Sequence, residues 1–249
     1  MGRGRILVSV CVVALCVSGA HAGAEIKLGG QVRPRFEVCG PVGVGHDVVT
    51  NVRVRASISA DLEREVSAFI QLQDVRLWGE ETSTLADFRA DNFDLHQGYV
   101  TFGDVGETSI GVRIGRQEMS LGGQRLVGAV GWTQQGRSFD GIRVSDKPKG
   151  GRVDLFLMRT GDASAAAVSN NAYFGGGYVT VPFNNRKARL DLYALYSRTS
   201  GTADTELYTL GARWTGQTGQ VSFRSEGSYL VGDIRGGTLP PTCWAVASG

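Results

Sequence analysis

Apolar and polar residues alternate one for one through most of this chain, and that period of two constrains the fold more than any other feature. Successive side chains of an extended strand point to opposite faces, so strict alternation marks strands with two different sides. In IKLGGQVRPRF, Ile26, Leu28, Val32 and Phe36 share one phase, and Lys27, Gln31, Arg33 and Arg35 share the other. In NVRVRASISADL, Val52, Val54, Ala56, Ile58, Ala60 and Leu62 oppose Asn51, Arg53, Arg55, Ser57, Ser59 and Asp61. The pattern recurs at about 66–77, 95–103, 108–116, 139–146, 152–159, 173–182, 188–198, 206–214 and 220–230, which makes eleven candidate strands. Many run nine residues or more. A globular strand averages about five or six, whereas one that crosses a bilayer needs about 9–11.

The links between strands keep a rhythm of their own. Those at 63–64, 104–107, 147–151, 184–187 and 215–219 are tight and, apart from Glu63-Arg64, rich in Gly, Asn, Asp or Pro, while those at 38–47, 78–92, 117–137, 160–172 and 199–205 are longer and mostly polar. Short turns on one rim and long loops on the other characterise bacterial outer-membrane barrels, and a soluble β-sandwich has no reason to keep that order. Trp78, Phe102, Phe183, Tyr196, Trp214 and Tyr229 fall near strand ends, where interfacial girdles form. The sequence therefore predicts an all-β chain, an antiparallel transmembrane outer-membrane β-barrel. Alternation alone leaves open which face is wet, since a soluble protein would turn the apolar phase inward.

The N-terminus supports export. A basic MGRGR precedes an apolar stretch, ILVSVCVVALCVSG, and then the small-residue site Ala20-His21-Ala22. This reads as a Sec signal peptide over 1–22, the apolar run being shorter than the ~20 residues of a spanning helix. The barrel domain then covers 23–233, and 234–249 is an atypical tail without alternation that carries Pro240 and Pro241. Two of the four cysteines leave with the leader, so Cys39 and Cys243 allow one bridge at most.

Charge and composition narrow the function. Of 26 cationic residues 22 are Arg, and removing Arg3 and Arg5 leaves 24 cationic against 24 anionic side chains. That neutrality excludes a general nucleic-acid surface, which needs a basic excess. Glycine, at 36 residues, is about twice the ~7% background without a collagen period, as suits a chain of hairpins. Arg33, Arg35, Arg53, Arg55, Arg113, Arg143, Arg189, Arg213 and Arg224 share the polar phase, as do Glu37, Asp61, Asp191 and Glu226. Guanidinium grips carboxylate or phosphate bidentately, and Arg rings make a pore select anions. The pairs Arg33/Arg35 and Arg53/Arg55 predict a cationic patch on adjacent strands. The competing reading is that Arg and acid ladders simply cross-link the wall.

Chemistry is sparse. Beyond the leader only His46 and His96 remain, neither with a second His or Cys at metal-ligand spacing, and no Walker, Rossmann, HExxH or nucleophile-elbow pattern occurs. No cofactor and no metal are expected, and the chain reads as no enzyme.

One stretch carries more than pattern. FDLHQGYVTFG is followed by IGVRIGRQEMSLGGQRLVGAVGWTQQGRSFDGIRV, in which a strand ending in GRQ leads through a Gly- and Arg-bearing loop to a Trp and then to a GRSFDG strand start. QLQDVRLWGEE at 71–81 fits the preceding strand and loop entry. These features resemble the alginate export family of outer-membrane proteins, most specifically over 113–143 and more broadly from Ala24 to Asp233. The matching motif positions are Arg116, Gln117, Arg125, Trp132, Arg137, Phe139 and Asp140. The resemblance implies a single-chain barrel of about eighteen strands, within the range of such proteins, with an electropositive pore passing a polyanion of uronate sugars. Eleven strands is an odd number, so the sequence predicts a C-terminally truncated product whose missing strands close the wall.

The reading that results is an anion-selective porin or exporter in the bacterial cell outer membrane. It passes an acidic, alginate-like polysaccharide, uronate oligomers or small organic anions by passive diffusion. Its expected site residues are Arg33, Arg35, Arg53, Arg55, Arg113, Arg116, Arg125, Arg137 and Arg143. Its expected partners are that solute, outer-membrane lipid and periplasmic export machinery, with the chain itself a monomer. Two alternatives stay open: an outer-membrane hydrolase using His96, and a secreted soluble β-protein that binds glycans.

Overall fold

A computed structural model describes residues 6–9, 17–21, 24–39, 47–62, 65–78, 93–105, 108–161, 170–183, 187–201, 204–234 and 237–248. His46 and residues 79–92 of the second long loop lie outside them. Regular structure among the described residues is β, apart from one 3₁₀ turn at Pro148–Gly150, and no helix is long and apolar enough to cross a membrane. The chain divides into two compact units.

The first unit runs to Val100 and adds Ala129–Ser138. It holds β1 (Ile6–Ser9), β2 (Val17–His21), β3 (Ala24–Cys39), β4 (Asp47–Leu62), β5 (Val66–Leu77) and most of β6 (Asp94–Phe102). β3, β4 and β5 pair antiparallel in chain order with unbroken register, for example Arg33 opposite Arg53 and Arg55 opposite Gln73. β1 and β2, from the segment read as leader, pair along the other edge of β3 and supply the hydrogen bonds an open edge lacks.

The second unit comprises Thr101–Gly128 and residues from Phe139 onward. Here β7 (Gly111–Gln117), β8 (Phe139–Asp146), β9 (Arg152–Gly161), β10 (Asn170–Phe183), β11 (Ala188–Gly201), β12 (Thr205–Thr218), β13 (Val221–Ile234) and β14 (Gly237–Ser248) each pair antiparallel with the next. All eleven alternating segments are strands, β3 to β13. β14 is a strand that alternation does not announce. Its register against β13 slips where Pro240 and Pro241 together oppose Val231, because proline has no N–H for the ladder and the surplus residue forms a bulge.

Which face is wet is settled by exposure. The apolar phase lies open, with Leu28, Ile58, Ile70, Ile114, Leu155, Leu157 and Leu210 all exposed, Ile58 at 50% and Leu157 at 58%. The buried set includes Arg53, Gln73, His96, Gln117, Arg143, Asp154, Asp191 and Arg213. A water-soluble sheet buries the opposite phase, so this inside-out distribution is that of a wall whose apolar side meets lipid. Trp78, Phe102, Phe183, Trp214 and Tyr229 are exposed near strand ends, as a girdle requires.

Candidate functional site

The link between β7 and β8 folds over the polar face instead of standing clear of it. In the first unit, residues 129–138 cross the strands that carry the four-arginine cluster. Arg33 donates from Nη1 to the Gly131 carbonyl at 2.7 Å, and from Nη2 to the Thr133 carbonyl at 2.6 Å and Gln134 Oε1 at 2.7 Å. Arg35 donates to the Trp132 carbonyl at 2.5 Å and pairs with Glu37. Arg53, 4% exposed, reaches the Thr133 and Gln134 carbonyls, each at 3.2 Å, and holds Gln31 Oε1. Arg55 donates to Gln73 at 2.7 Å and to the Gln135 carbonyl at 3.4 Å. The cluster predicted to line a path thus serves first as an anchor for this segment, closer to the wall-stabilising alternative.

The anchored segment is internally braced. Thr133 Oγ1 donates to the Val130 carbonyl at 2.9 Å and accepts from the Gly136 amide at 3.0 Å, and the Arg137 amide donates to the Ala129 carbonyl at 2.7 Å. Val130 is held at φ 49, a conformation that β-branched residues avoid. The hydrogen bonds on either side of it hold that geometry in place.

In the second unit, residues 118–128 are seated by apolar contact. Met119, Leu121 and Val127 are buried among Phe139, Phe156, Met158, Tyr178, Tyr193 and Leu195. The Leu121 amide donates to the Val127 carbonyl at 3.1 Å, closing a small loop, and Gly122 at its tip has φ +54. A Cβ at Gly122 would strike the Tyr178 hydroxyl. Tyr178 and Tyr193 stack with centroids 5.6 Å apart, Tyr193 donates to Glu226 at 3.2 Å, and Arg125 stands 3.7 Å from the same carboxylate.

Below this loop the polar face carries two Arg–Asp–Arg triads of the same design. Asp154, 1% exposed, accepts from Arg143 Nε at 2.9 Å and Arg152 Nε at 2.7 Å. Asp191, also 1% exposed, accepts from Arg213 at 2.8 Å and Thr180 at 2.9 Å, with Arg189 at 3.7 Å. In each, the sequence R-x-D places Arg and Asp on one face, and the second Arg comes from the neighbouring strand. Both triads border a cavity of about 970 Å³ by the short turns, with Ser120 and Gly122 of the infolded loop also on its wall. Five cationic residues line it, Lys147, Arg152, Lys187, Arg189 and Arg224, against the acids Asp154 and Asp191.

The remaining predicted residues divide. Arg143 is buried on the polar face as expected, and Arg113 donates to Thr101 at 3.2 Å. Arg125 lies beside Glu226, and Arg137 is exposed on the loop. Arg116 does not share their face. It sits in the phase of exposed Ile114 and pairs at 2.9 Å with Asp140, directly opposite on β8 and itself exposed. The unbroken β7–β8 register leaves no bulge to turn it inward. Missed in the sequence were Lys147, Arg152 and Lys187, where the signal was available in the R-x-D repeat of β9 and β11 and in lysines at two short turns.

His96 is 4% exposed, with Ser138 Oγ 3.3 Å from Nδ1. That hydroxyl donates to the His96 carbonyl at 2.5 Å, so the contact fastens the loop's end to β6. No cluster of three or more metal-ligating side chains occurs among the described residues. A family model described as alginate export matches residues 24–249. No curated protein matches the chain.

Proposed function

Starting from the fact that the chain belongs to the alginate export family, we propose that it lines a passive, anion-selective route through the outer membrane for an acidic polysaccharide or uronate oligomers. The observation that carries this is the cationic excess of the cavity beside the short turns. Its two acids are each met by a buried arginine, Arg143 or Arg213. The charge left facing the cavity is therefore that of Lys147, Arg152, Lys187, Arg189 and Arg224. A uronate polymer carries one carboxylate per sugar. Entering, it exchanges its counterions for these side chains, as any polyanion does on a cationic surface, and no bond is made or broken.

Low-dielectric walls strengthen the attraction and the interspersed acids limit it, so the polymer is able to leave. The infolded loop adds Ser120, Leu121 and Gly122 to the wall of the same cavity, which narrows the route without adding negative charge. Planar-bilayer recordings under a salt gradient test the proposal. The wild-type channel is expected to prefer chloride over potassium, and the K147E/K187E/R189E variant to shift its reversal potential toward cation preference. Cation preference in the wild type, or identical reversal potentials in both, refutes it.

A further inference from the structure

A second cavity, of about 400 Å³, lies in the first unit beside the arginine-anchored loop, and its most exposed aromatic side chain is Trp132. We propose that this cavity is a saccharide subsite in which the Trp132 indole stacks against a pyranose ring while the side-chain amides beside it take the sugar's hydroxyls. The inference rests on the proposed passage of acidic polysaccharide and names where one sugar of it pauses.

Three observations carry it. Trp132 is 69% exposed, more than any other large hydrophobic side chain among those described, yet it does not stand on the lipid-facing phase. It stands on the loop that crosses the polar face, where an indole gains nothing from lipid and must find another flat apolar partner. Its position is also fixed, not incidental. Arg35 holds its carbonyl at 2.5 Å, Arg33 holds the carbonyls of Gly131 and Thr133 on either side, and Val130 two residues earlier is kept at φ 49. Strain maintained by that many contacts beside an exposed aromatic is what a binding platform needs to stay rigid while empty.

The third observation is the chemistry of the rest of the cavity. Arg35 lines it together with Asn51, Gln135 and the carboxylate of Glu37. The side-chain amides both donate to and accept from a sugar's hydroxyls, and Arg35, paired with Glu37, fixes the rim beside them. One stacked face and a few amides make a site for one sugar of a longer chain, weak enough for the chain to move on.

Single-channel recording of the full chain, with guluronate or mannuronate hexamers as the probe, tests this. The wild type is expected to show current blockades whose mean duration falls about tenfold in Trp132→Ala, corresponding to ~1.4 kcal/mol. Trp132→Phe, which keeps a flat ring, is expected to restore most of that duration. Equal durations in wild type and Trp132→Ala, with Trp132→Phe confirming that the loop tolerates substitution, overturn the subsite and leave the anion route standing. Absence of any blockade in the wild type overturns the acidic-polysaccharide reading, and the subsite with it.

Discussion

Asp154→Ala offers the most direct measure of what the polar face contributes. The carboxylate is 1% exposed and receives Arg143 Nε and Nη2 at 2.9 Å, Arg152 Nε at 2.7 Å and Arg152 Nη2 at 3.1 Å. Its removal affects the two arginines unequally. The Arg152 side chain is 42% exposed and turns to water, losing about 0–1 kcal/mol, the usual worth of a surface pair. The Arg143 side chain is 9% exposed and keeps a charge without its carboxylate, and breaking a buried pair this way costs about 3–5 kcal/mol. The sum is dominated by Arg143 and amounts to a loss of roughly 150- to 5,000-fold in the folded ratio. Guanidinium titration of protein refolded into phospholipid vesicles, followed by tryptophan fluorescence and by the heat-dependent gel shift, reads this loss. Asp154→Ala combined with Arg143→Met removes both charges and is expected to recover most of it. The reasoning is refuted if the single variant stays within about 1 kcal/mol of wild type. It is also refuted if the double variant is no more stable than the single.

Two other changes separate the faces. Arg33→Ala with Arg53→Ala removes five hydrogen bonds to residues 131–134 and should expose that loop to limited proteolysis many-fold faster, with strand ladders intact by circular dichroism. On the apolar face, Ile58→Lys should cost about 2–4 kcal/mol if the position lies near the bilayer midplane, whereas Ile58→Val should be nearly neutral in the same unfolding assay.

The strands were legible because period-two alternation is a direct record of a two-sided wall. Lys27, Arg33 and Arg35 against Ile26, Val32 and Phe36 leave β3 no other arrangement. What alternation cannot encode is the path of a long loop. Met119, Leu121 and Val127 look like scattered apolar residues in a glycine-rich stretch, and only the tertiary fold buries them beside Tyr178 and Tyr193. The same blindness made Arg33, Arg35, Arg53 and Arg55 read as an open patch, since their acceptors, the carbonyls of Gly131 to Gln135, lie about a hundred residues away in sequence for Arg33 and eighty for Arg53. Arg116 was misplaced for a simpler reason. It breaks the phase set by Arg113, and its partner Asp140 breaks the phase set by Arg143, so the pair is visible only once the strands are aligned. β14 escaped notice because its two prolines interrupt the pattern at the bulge they create.

Arg33 fastens the loop entirely through neutral oxygens, two backbone carbonyls and an amide. Dipoles of that kind accept from its Nη groups without cancelling its charge, unlike the carboxylate that meets Arg143. Its field therefore still extends beyond it while its Nη hydrogen bonds hold the loop. Dissolved ions screen the first over about 10 Å and scarcely touch the second. On the proposed function, ionic strength would then set how strongly this face draws anions without unseating residues 131–134.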